Sequence, residues 1–354
     1  MPNLENRLHT FEVLKSLNLI KTTPYNTNNF SVRLRNEKTF RVPGSGFKMI
    51  KEIPIIDFSG FDSDNKKLRN SVAKKVHEAA SKVGFMYVKN ININEQVIKD
   101  AFKSSANFFS LTDKKKSEIQ YLEKTNHGYQ SIGGQQLDSN IAPDLKETIT
   151  MRNVPNNLKN KALWPSSQFA SDANRMFKSC LEGVFQIMEI MALALDVPKD
   201  FFKKCHTGEN MTLRYLHYPI IKKDIKEEQM GAGAHTDFGT VTILFQDDIG
   251  GLEVQSSEGK WIPATPIRNT IVVNIGDLLS RWTNKIYKST LHRVRPMVSN
   301  KERYSIAFFA DPDNSTKVSV FPSCFNSENP SKFSDITAGE HIAQKIEESN
   351  NLKI

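Results

Sequence analysis

Two histidines and one aspartate carry the first chemical signal in this chain of 354 residues. His235 and Asp237 sit one residue apart in "GAGAHTDFGTVTILFQ", just ahead of a β-branched run, and His292 lies in "KSTLHRVRP". In an extended chain the side chains at i and i+2 share a face, so His235 and Asp237 could reach one ion. The alternatives are a strand-end surface pair and, for His292 alone, a hydrogen-bonded core histidine. Taken together, two imidazoles and a carboxylate form the facial triad of non-haem Fe(II) oxygenases, which leaves open positions on the metal. A structural zinc site would close its shell, usually with Cys. His292 follows Asp237 by 55 positions, enough chain for intervening strands to turn back beside the first pair.

A second signal comes in "RYSIAFF", where Arg303 and Ser305 again share one face of a strand. A guanidinium in a barrel mouth is costly unless an anion meets it. Its planar fork beside a hydroxyl makes a carboxylate clamp. In "LRYLHYP", Tyr218 alternates with Leu216 and Arg214, so these three share a strand face and the phenol could donate to the same carboxylate. An exposed strand arginine is the default for Arg303 alone; the triad upstream argues against it.

The elements that must position these groups are set by periodicity. From Leu213 onward, "LRYLHYP", "GTVTILFQ", "GLEVQ", "WIPATP", "TIVVNIGDLL", "STLHRV" and "RYSIAFFA" are short β-prone runs separated by Gly, Pro or Asn. Such spacing predicts a sandwich or barrel. Ahead of them, "EIPIIDFSGF" and "GFMYVKNI" read as strands and residues 68–83 as a helix, because Val72, Val76, Ala79 and Val83 recur at helical spacing. "EQVIKDAFKSSANFFSL" reads as a second amphipathic helix, and "NHGYQSIGGQQLD" as a loop. A long helix over 172–195 presents Met176, Phe177, Cys180, Leu181, Val184, Ile187, Met188 and Met191 on one face, the Met residues as core packing. The expected architecture is α+β, mainly β: a helical N-terminal half docked on a C-terminal jelly roll. Its divisions are a loosely packed extension over 1–50, with only "FEVLKSLNLI" briefly helical; an N-terminal region over 51–170; a connecting helix over 171–207; the jelly roll over 208–315; and a C-terminal segment over 316–354.

Composition excludes several classes. No apolar run reaches spanning length, and the mean hydropathy is -0.45. The net charge of +9 is spread among acidic residues, as in "IIKKDIKEEQ", with no nucleic-acid module. Cys180, Cys205 and Cys324 are few and far apart, which favours a reducing compartment over a disulfide framework. With no apolar secretory h-region at the start, a cytoplasmic protein is expected, with nucleus or mitochondrion as alternatives.

The chain resembles the isopenicillin N synthase-like family of Fe(II)/2-oxoglutarate dioxygenases. The matching stretches, in the family's order, are "IPIIDFSGF", "GFMYVKN", "FFSLTDKKK", "HGYQSIGGQQLD", "PDLKE", "LRYLHYP", "AHTDFGTVTILFQDDIGGLEV", "VVNIGDLLSRWTN", "KSTLHRV" and "RYSIAFF", covering most of 52–312. Fungal-type nucleobase hydroxylases look especially similar, and generic microbial relatives share the same stretches. The resemblance implies a double-stranded β-helix holding iron through His235, Asp237 and His292, which are the catalytic ligands. It also implies that Arg303 and Ser305 grip the distal carboxylate of 2-oxoglutarate, with Tyr218 assisting, and that ascorbate stimulates turnover. The implied reaction consumes dioxygen and 2-oxoglutarate, releases succinate and CO2, and hydroxylates or otherwise oxidises a small molecule, such as a nitrogen heterocycle or an amino-acid derivative. Neither nucleic acid nor membrane is an expected partner.

Phe238, Phe309 and the loop from Gly133 to Gln136 are candidates for the substrate pocket; core packing is the alternative for the two Phe residues. "VKNININ" lacks the His-Gly that often comes after the family's "VKN", a change confined to a turn. Leu216 stands where plant members often carry Asn. Met211 stands where a nucleobase hydroxylase would offer an Asn to its substrate, which argues against thymine itself. Two other classes stay open: an oxidase of the same fold that uses no 2-oxoglutarate, with Arg303 and Ser305 on the substrate's own carboxylate, and a non-catalytic binding protein. Intact, costly polar groups at every site position argue against the latter.

Overall fold

β-branched alternation turns "TIVVNI" and "TVTILFQ" into neighbouring strands of one large sheet, and that sheet organises the rest of the molecule. The computed structural model describes residues 31–33, 39–41, 53–61, 64–136, 142–220, 229–296 and 301–351. It separates into two units, Met1–Ile50 and Lys51–Ile354. In the first, β1 (Ser31–Arg33) pairs antiparallel with β2 (Thr39–Arg41). The helix expected over "FEVLKSLNLI" lies outside the described residues.

The second unit contains an eight-stranded sheet. Its strands are β3 (Ile55–Asp57), β4 (Phe85–Lys89), β5 (His127–Gln130), β6 (Glu147–Arg152), β7 (Thr212–Tyr218), β9 (Val241–Gln246), β12 (Ile271–Ile275) and β14 (Arg303–Ala310). They run in the order β3-β4-β12-β9-β14-β7-β6-β5. A four-stranded sheet of β8 (Ala232–His235), β10 (Leu252–Gln255), β11 (Trp261–Pro263) and β13 (His292–Val294) runs β11-β10-β13-β8. The alternation along each strand separates two cores. Leu213, Tyr215, Ile243, Phe245, Val273, Ile306 and Phe308 belong to a core shared with α1 (Lys66–Lys82), α2 (Glu95–Phe109) and α3 (Ser167–Leu195). On the opposite face, Leu216, Tyr218, Val272 and Ala307 form a smaller core with Ala232, Leu252, Val254 and Val294 of the four-stranded sheet. The jelly-roll interior lies between these two sheets.

Local signals place the helices. The side chains of Asn65 and Asn94 cap α1 and α2, and Ser166 accepts the Phe169 amide at the start of α3. With that cap, α3 begins ahead of the expected residue 172. Met176, Met188 and Met191 are buried in the core, as expected.

Three expectations need correction. The N-terminal half does not simply dock on the jelly roll, because it contributes β3, β4, β5 and β6 to the same sheet. The polar segment "NHGYQ" is not all loop: His127–Gln130 forms the edge strand β5, paired with β6 on one side and joined by isolated bridges to Gln120 and Leu122 on the other. Gly128 permits this, since its φ is 122° and a Cβ there would meet Gln120 O at 2.3 Å. Lastly, the β-prone run "TIVVNIGDLL" changes character at Gly276, where β12 gives way to the short helix α4 (Asp277–Trp282).

Candidate metal centre and active site

His292 opens β13 and stands directly across from His235, the last residue of β8. The pairing carries an irregularity: His292 matches His235, but Val294 matches Ala232. Two residues, Gly233 and Ala234, therefore oppose the single Arg293. Such a bulge shifts the side-chain alternation by one and re-aims the residues beyond it. It lets Ala232 and His235 both face the interior although they are three positions apart. His235 and Asp237 do reach one point, as their spacing suggests, but by a different route, because the strand stops at His235. Asp237 is placed instead by the start of α4, where the amide of Asp277 donates to Asp237 O at 2.8 Å and that of Leu278 donates to Phe238 O at 3.2 Å. Gly276 makes this close approach possible; a Cβ there would meet Gly239 O at 2.2 Å.

The three side chains converge with their outward valences already satisfied. Nδ1 of His235 donates to Gly233 O (2.8 Å) and Nδ1 of His292 to Thr290 O (3.1 Å). A carbonyl only accepts, so each Nδ1 carries a proton, which leaves each Nε2 as the ring atom that could meet a metal. Oδ2 of Asp237 accepts from Thr242 Oγ1 (2.6 Å) and Asn274 Nδ2 (2.7 Å). Its Oδ1 is left 3.8 Å from both Nε2 atoms, beyond hydrogen-bond reach. The ligand atoms lie within 4.8 Å of one another, and the two imidazole centroids are 4.3 Å apart. Phe85 packs edge-on against His292. Burial, together with the neighbouring His292, holds His235 well below the ordinary histidine range. For Asp237, burial works the other way but is outweighed by His292, His235 and the two hydrogen bonds, so its carboxyl stays low. Two imidazole nitrogens and a carboxylate oxygen, aimed at one point with no hydrogen bonds among themselves, fit a divalent iron.

Arg303, Ser305 and Tyr218 come together as expected. Arg303 is 1% exposed. It stands across from Tyr218 in the β14–β7 pairing, with its guanidinium carbon 4.6 Å from that ring. Nη1 donates to Ser305 Oγ and Nη2 to Gln246 Oε1, both at 3.2 Å. Its Nε is buried with no hydrogen-bond partner among the described residues. A buried guanidinium with an unmet donor could take a carboxylate. Burial raises the Tyr218 phenol, against the opposing pull of Arg303, so it remains a proton donor.

Four strand positions from Tyr218, the same inward face of β7 presents Arg214. Its Nε donates to Thr150 Oγ1 at 2.9 Å, and its guanidinium carbon lies 5.1 Å from the Phe309 ring. Among the described residues it has no ion-pair partner. Phe309 stands across from Thr242, the residue bonded to Asp237, so Arg214 and Phe309 border the metal centre. Arg152 approaches Asp311 at 3.9 Å nearby. Burial raises Asp311 to about 6, with the charge of Asp237 adding to it and Arg152 and Arg214 opposing. Phe238 is half-buried, and Gly133 and Gly134 are exposed. Met211 is fully buried in the helix-side core, facing away from this interior. Its identity therefore bears on packing and carries no weight against thymine.

Sequence reasoning missed Thr242, Asn274, Gln246, Asp311 and Asp144. The signal existed for two of them: Thr242 and Asn274 are polar residues inside apolar strands, on the face opposite to the core-forming positions.

Fold and site thus define a non-haem iron oxygenase. Residues 207–312 match the model of the 2OG-Fe(II) oxygenase superfamily, and 53–167 that of the non-haem dioxygenase in morphine synthesis N-terminal region. A 2-oxoglutarate-Fe(II) type oxidoreductase of Emericella nidulans is 31% identical, over 84% of this chain and 90% of its own. A homoarginine-6-hydroxylase of Oryza sativa is 33% identical, over 86% of this chain and 98% of its own. The crystal structure of a full-length Neurospora crassa protein in complex with alpha-KG and thymine aligns with a TM-score of 0.75 at 34% identity, covering 84% of this chain and 97% of that one. The chain belongs to the 2OG-Fe(II) oxygenase superfamily: it is an Fe(II)- and 2-oxoglutarate-dependent dioxygenase that oxidises a small molecule and releases succinate and CO2.

Proposed function

We propose that His235, Asp237 and His292 hold the Fe(II), and that Arg303, Ser305 and Tyr218 bind the distal carboxylate of 2-oxoglutarate. The observation that carries this reading is the convergence of two Nε2 atoms and one Oδ1 whose sister atoms are all bonded elsewhere. Bound iron supplies the activation of dioxygen that drives decarboxylation and substrate oxidation. The chain's own part is positional. Thr242 and Asn274 fix the Asp237 carboxylate, Gly233 and Thr290 fix the imidazole tautomers, and Arg303 orients the cosubstrate. The apolar residues between the sheets, Leu216, Val272 and Ala307 among them, exclude water.

The primary substrate enters beside Arg214 and Phe309. A guanidinium with no ion-pair partner among the described residues, next to an aromatic face, suits a small molecule with a carbonyl or carboxylate acceptor, which a nitrogen heterocycle or an amino-acid derivative would supply. The thymine named with the Neurospora crassa protein and the homoarginine of the rice enzyme exemplify these two classes. The chemistry resides in 51–315, with 1–50 as an extension and 316–354 as a C-terminal segment. Among the described residues no helix is long and apolar enough to cross a membrane, and the free Cys180, Cys205 and Cys324 agree with a reducing, cytoplasmic setting.

The test is release of succinate from labelled 2-oxoglutarate with Fe(II), dioxygen and ascorbate. Turnover should require Fe(II) and vanish in Asp237→Ala; iron-independent release would overturn the assignment. Panels of heterocycles and amino-acid derivatives should then reveal the substrate by stimulated turnover. Arg214→Met should raise its KM at least tenfold while leaving substrate-free succinate release near wild type.

A further inference from the structure

The bulge that aims His235 has a dedicated support. Gly233 and Ala234 have no register partner in β13, so the backbone groups of Gly233 must find other partners. Its carbonyl accepts Nδ1 of His235, and its amide donates to Oδ1 of Asp144 at 2.9 Å. Asp144 is 1% exposed, and its other oxygen takes the ammonium of Lys146, itself 3% exposed. The backbone of Asp144 is fixed as well. Its amide donates to Gln135 O at 2.9 Å, its carbonyl accepts Gly133 N at 3.1 Å, and the next amide, Leu145, donates to Met230 O at 2.9 Å. Lys146 thus holds the carboxylate that meets Gly233, and three backbone hydrogen bonds hold the chain that carries it.

We infer that Asp144, paired with Lys146, is a positioning residue for the metal ligand His235, acting through the Gly233 peptide. The bond from the Gly233 amide to Asp144 fixes the plane of the Ala232–Gly233 peptide and holds Gly233 in the bulge. The Gly233 carbonyl in turn receives the His235 Nδ1–H and sets the ring's rotation and tautomer. Without Asp144 the amide has no acceptor, the bulge is free to relax, and Nε2 leaves the point shared with Asp237 and His292. Lys146, bonded to the other oxygen, gives the buried acid a partner that the Gly233 amide does not compete for. The inference rests on His235 being a metal ligand.

The experiment is a Mn(II) titration of the purified full-length chain, followed by the electron paramagnetic resonance signal of free Mn(II), with Co(II) absorption spectra as a second readout. Asp237→Ala serves as the control for the ligand set. Asp144→Ala should lose Mn(II) affinity at least tenfold and alter the Co(II) spectrum, with an unchanged far-ultraviolet circular dichroism spectrum. In the double variant Asp144→Asn/Lys146→Met a carboxamide oxygen can still accept the Gly233 amide and no buried cation is stranded. Its Mn(II) affinity should return to within about threefold of wild type. If Asp144→Ala does not fold, the double variant decides alone: a tenfold loss there overturns the inference. A folded Asp144→Ala chain with wild-type Mn(II) affinity also overturns it, provided Asp237→Ala has lost binding. If Asp237→Ala binds Mn(II) normally, the ligand assignment itself falls.

Discussion

Arg303 and Tyr218 face each other across the β14–β7 ladder, the guanidinium carbon 4.6 Å from the ring centroid. The aromatic face covers a cation that is otherwise met by two neutral side chains, Ser305 and Gln246. The arrangement stabilises the charge enough to bury it, yet leaves Nε without a partner among the described residues.

Arg303→Ala should therefore weaken 2-oxoglutarate and spare iron. Losing one member of a desolvated charge pair costs about 2–5 kcal/mol, so cosubstrate affinity should fall at least tenfold. Mn(II) affinity should stay within about twofold. Arg303→Lys should recover little, because an ammonium cannot reproduce the planar fork. An unchanged cosubstrate titration would move Arg303 to the primary substrate, as in a 2-oxoglutarate-independent oxidase.

Asp237 depends on Asn274 and Thr242, which hold Oδ2 at 2.7 and 2.6 Å. Asp237→Ala should abolish succinate release. Asn274→Leu should leave the carboxylate in place but free to rotate, lowering metal affinity about tenfold with a smaller effect on turnover at saturating iron. Equal affinity in Asn274→Leu and wild type would show that Thr242 alone fixes the carboxylate.

Asp311 should make the metal-free protein less stable as pH rises. Burial lifts its carboxyl from the ordinary 3.8 to about 6, so the fold favours the protonated form. That contribution is complete below about pH 4 and is lost as pH rises through 6, to the extent of about 2–3 kcal/mol. Asp311→Asn should consequently be more stable than wild type at pH 7.5 and nearly equal to it at pH 4. Urea titrations at both values check this; a stability difference that does not change with pH would rule it out.

Residues 1–45 should be dispensable for the chemistry. The segment is polar and precedes the first strand of the large sheet, and Met1–Ile50 forms a unit of its own. A chain beginning at Gly46 should keep iron-dependent 2-oxoglutarate turnover within about twofold, with a small change in melting temperature. Loss of solubility or activity would mean that "FEVLKSLNLI" packs on the catalytic unit.

The residue types of the site were legible because iron and a dicarboxylate demand scarce, costly groups. His235, Asp237, His292 and Arg303 are expensive to bury, so their presence near β-prone runs already narrowed the chemistry. Alternation alone placed Ser305 beside Arg303 and separated the core faces of β9, β12 and β14. Other relationships depend on contacts between distant segments. A bulge is a property of two strands paired out of step, so the parity of His235 was decided by β13, 57 residues downstream of it. Asp237 is set by the first turn of α4, and Gln246 finds Arg303 only because β9 and β14 are neighbours. The membership of β3 to β6 in the catalytic sheet was likewise settled by tertiary pairing. In an edge strand such as β5, the partner's backbone supplies the hydrogen bonds that the segment's polar composition does not advertise.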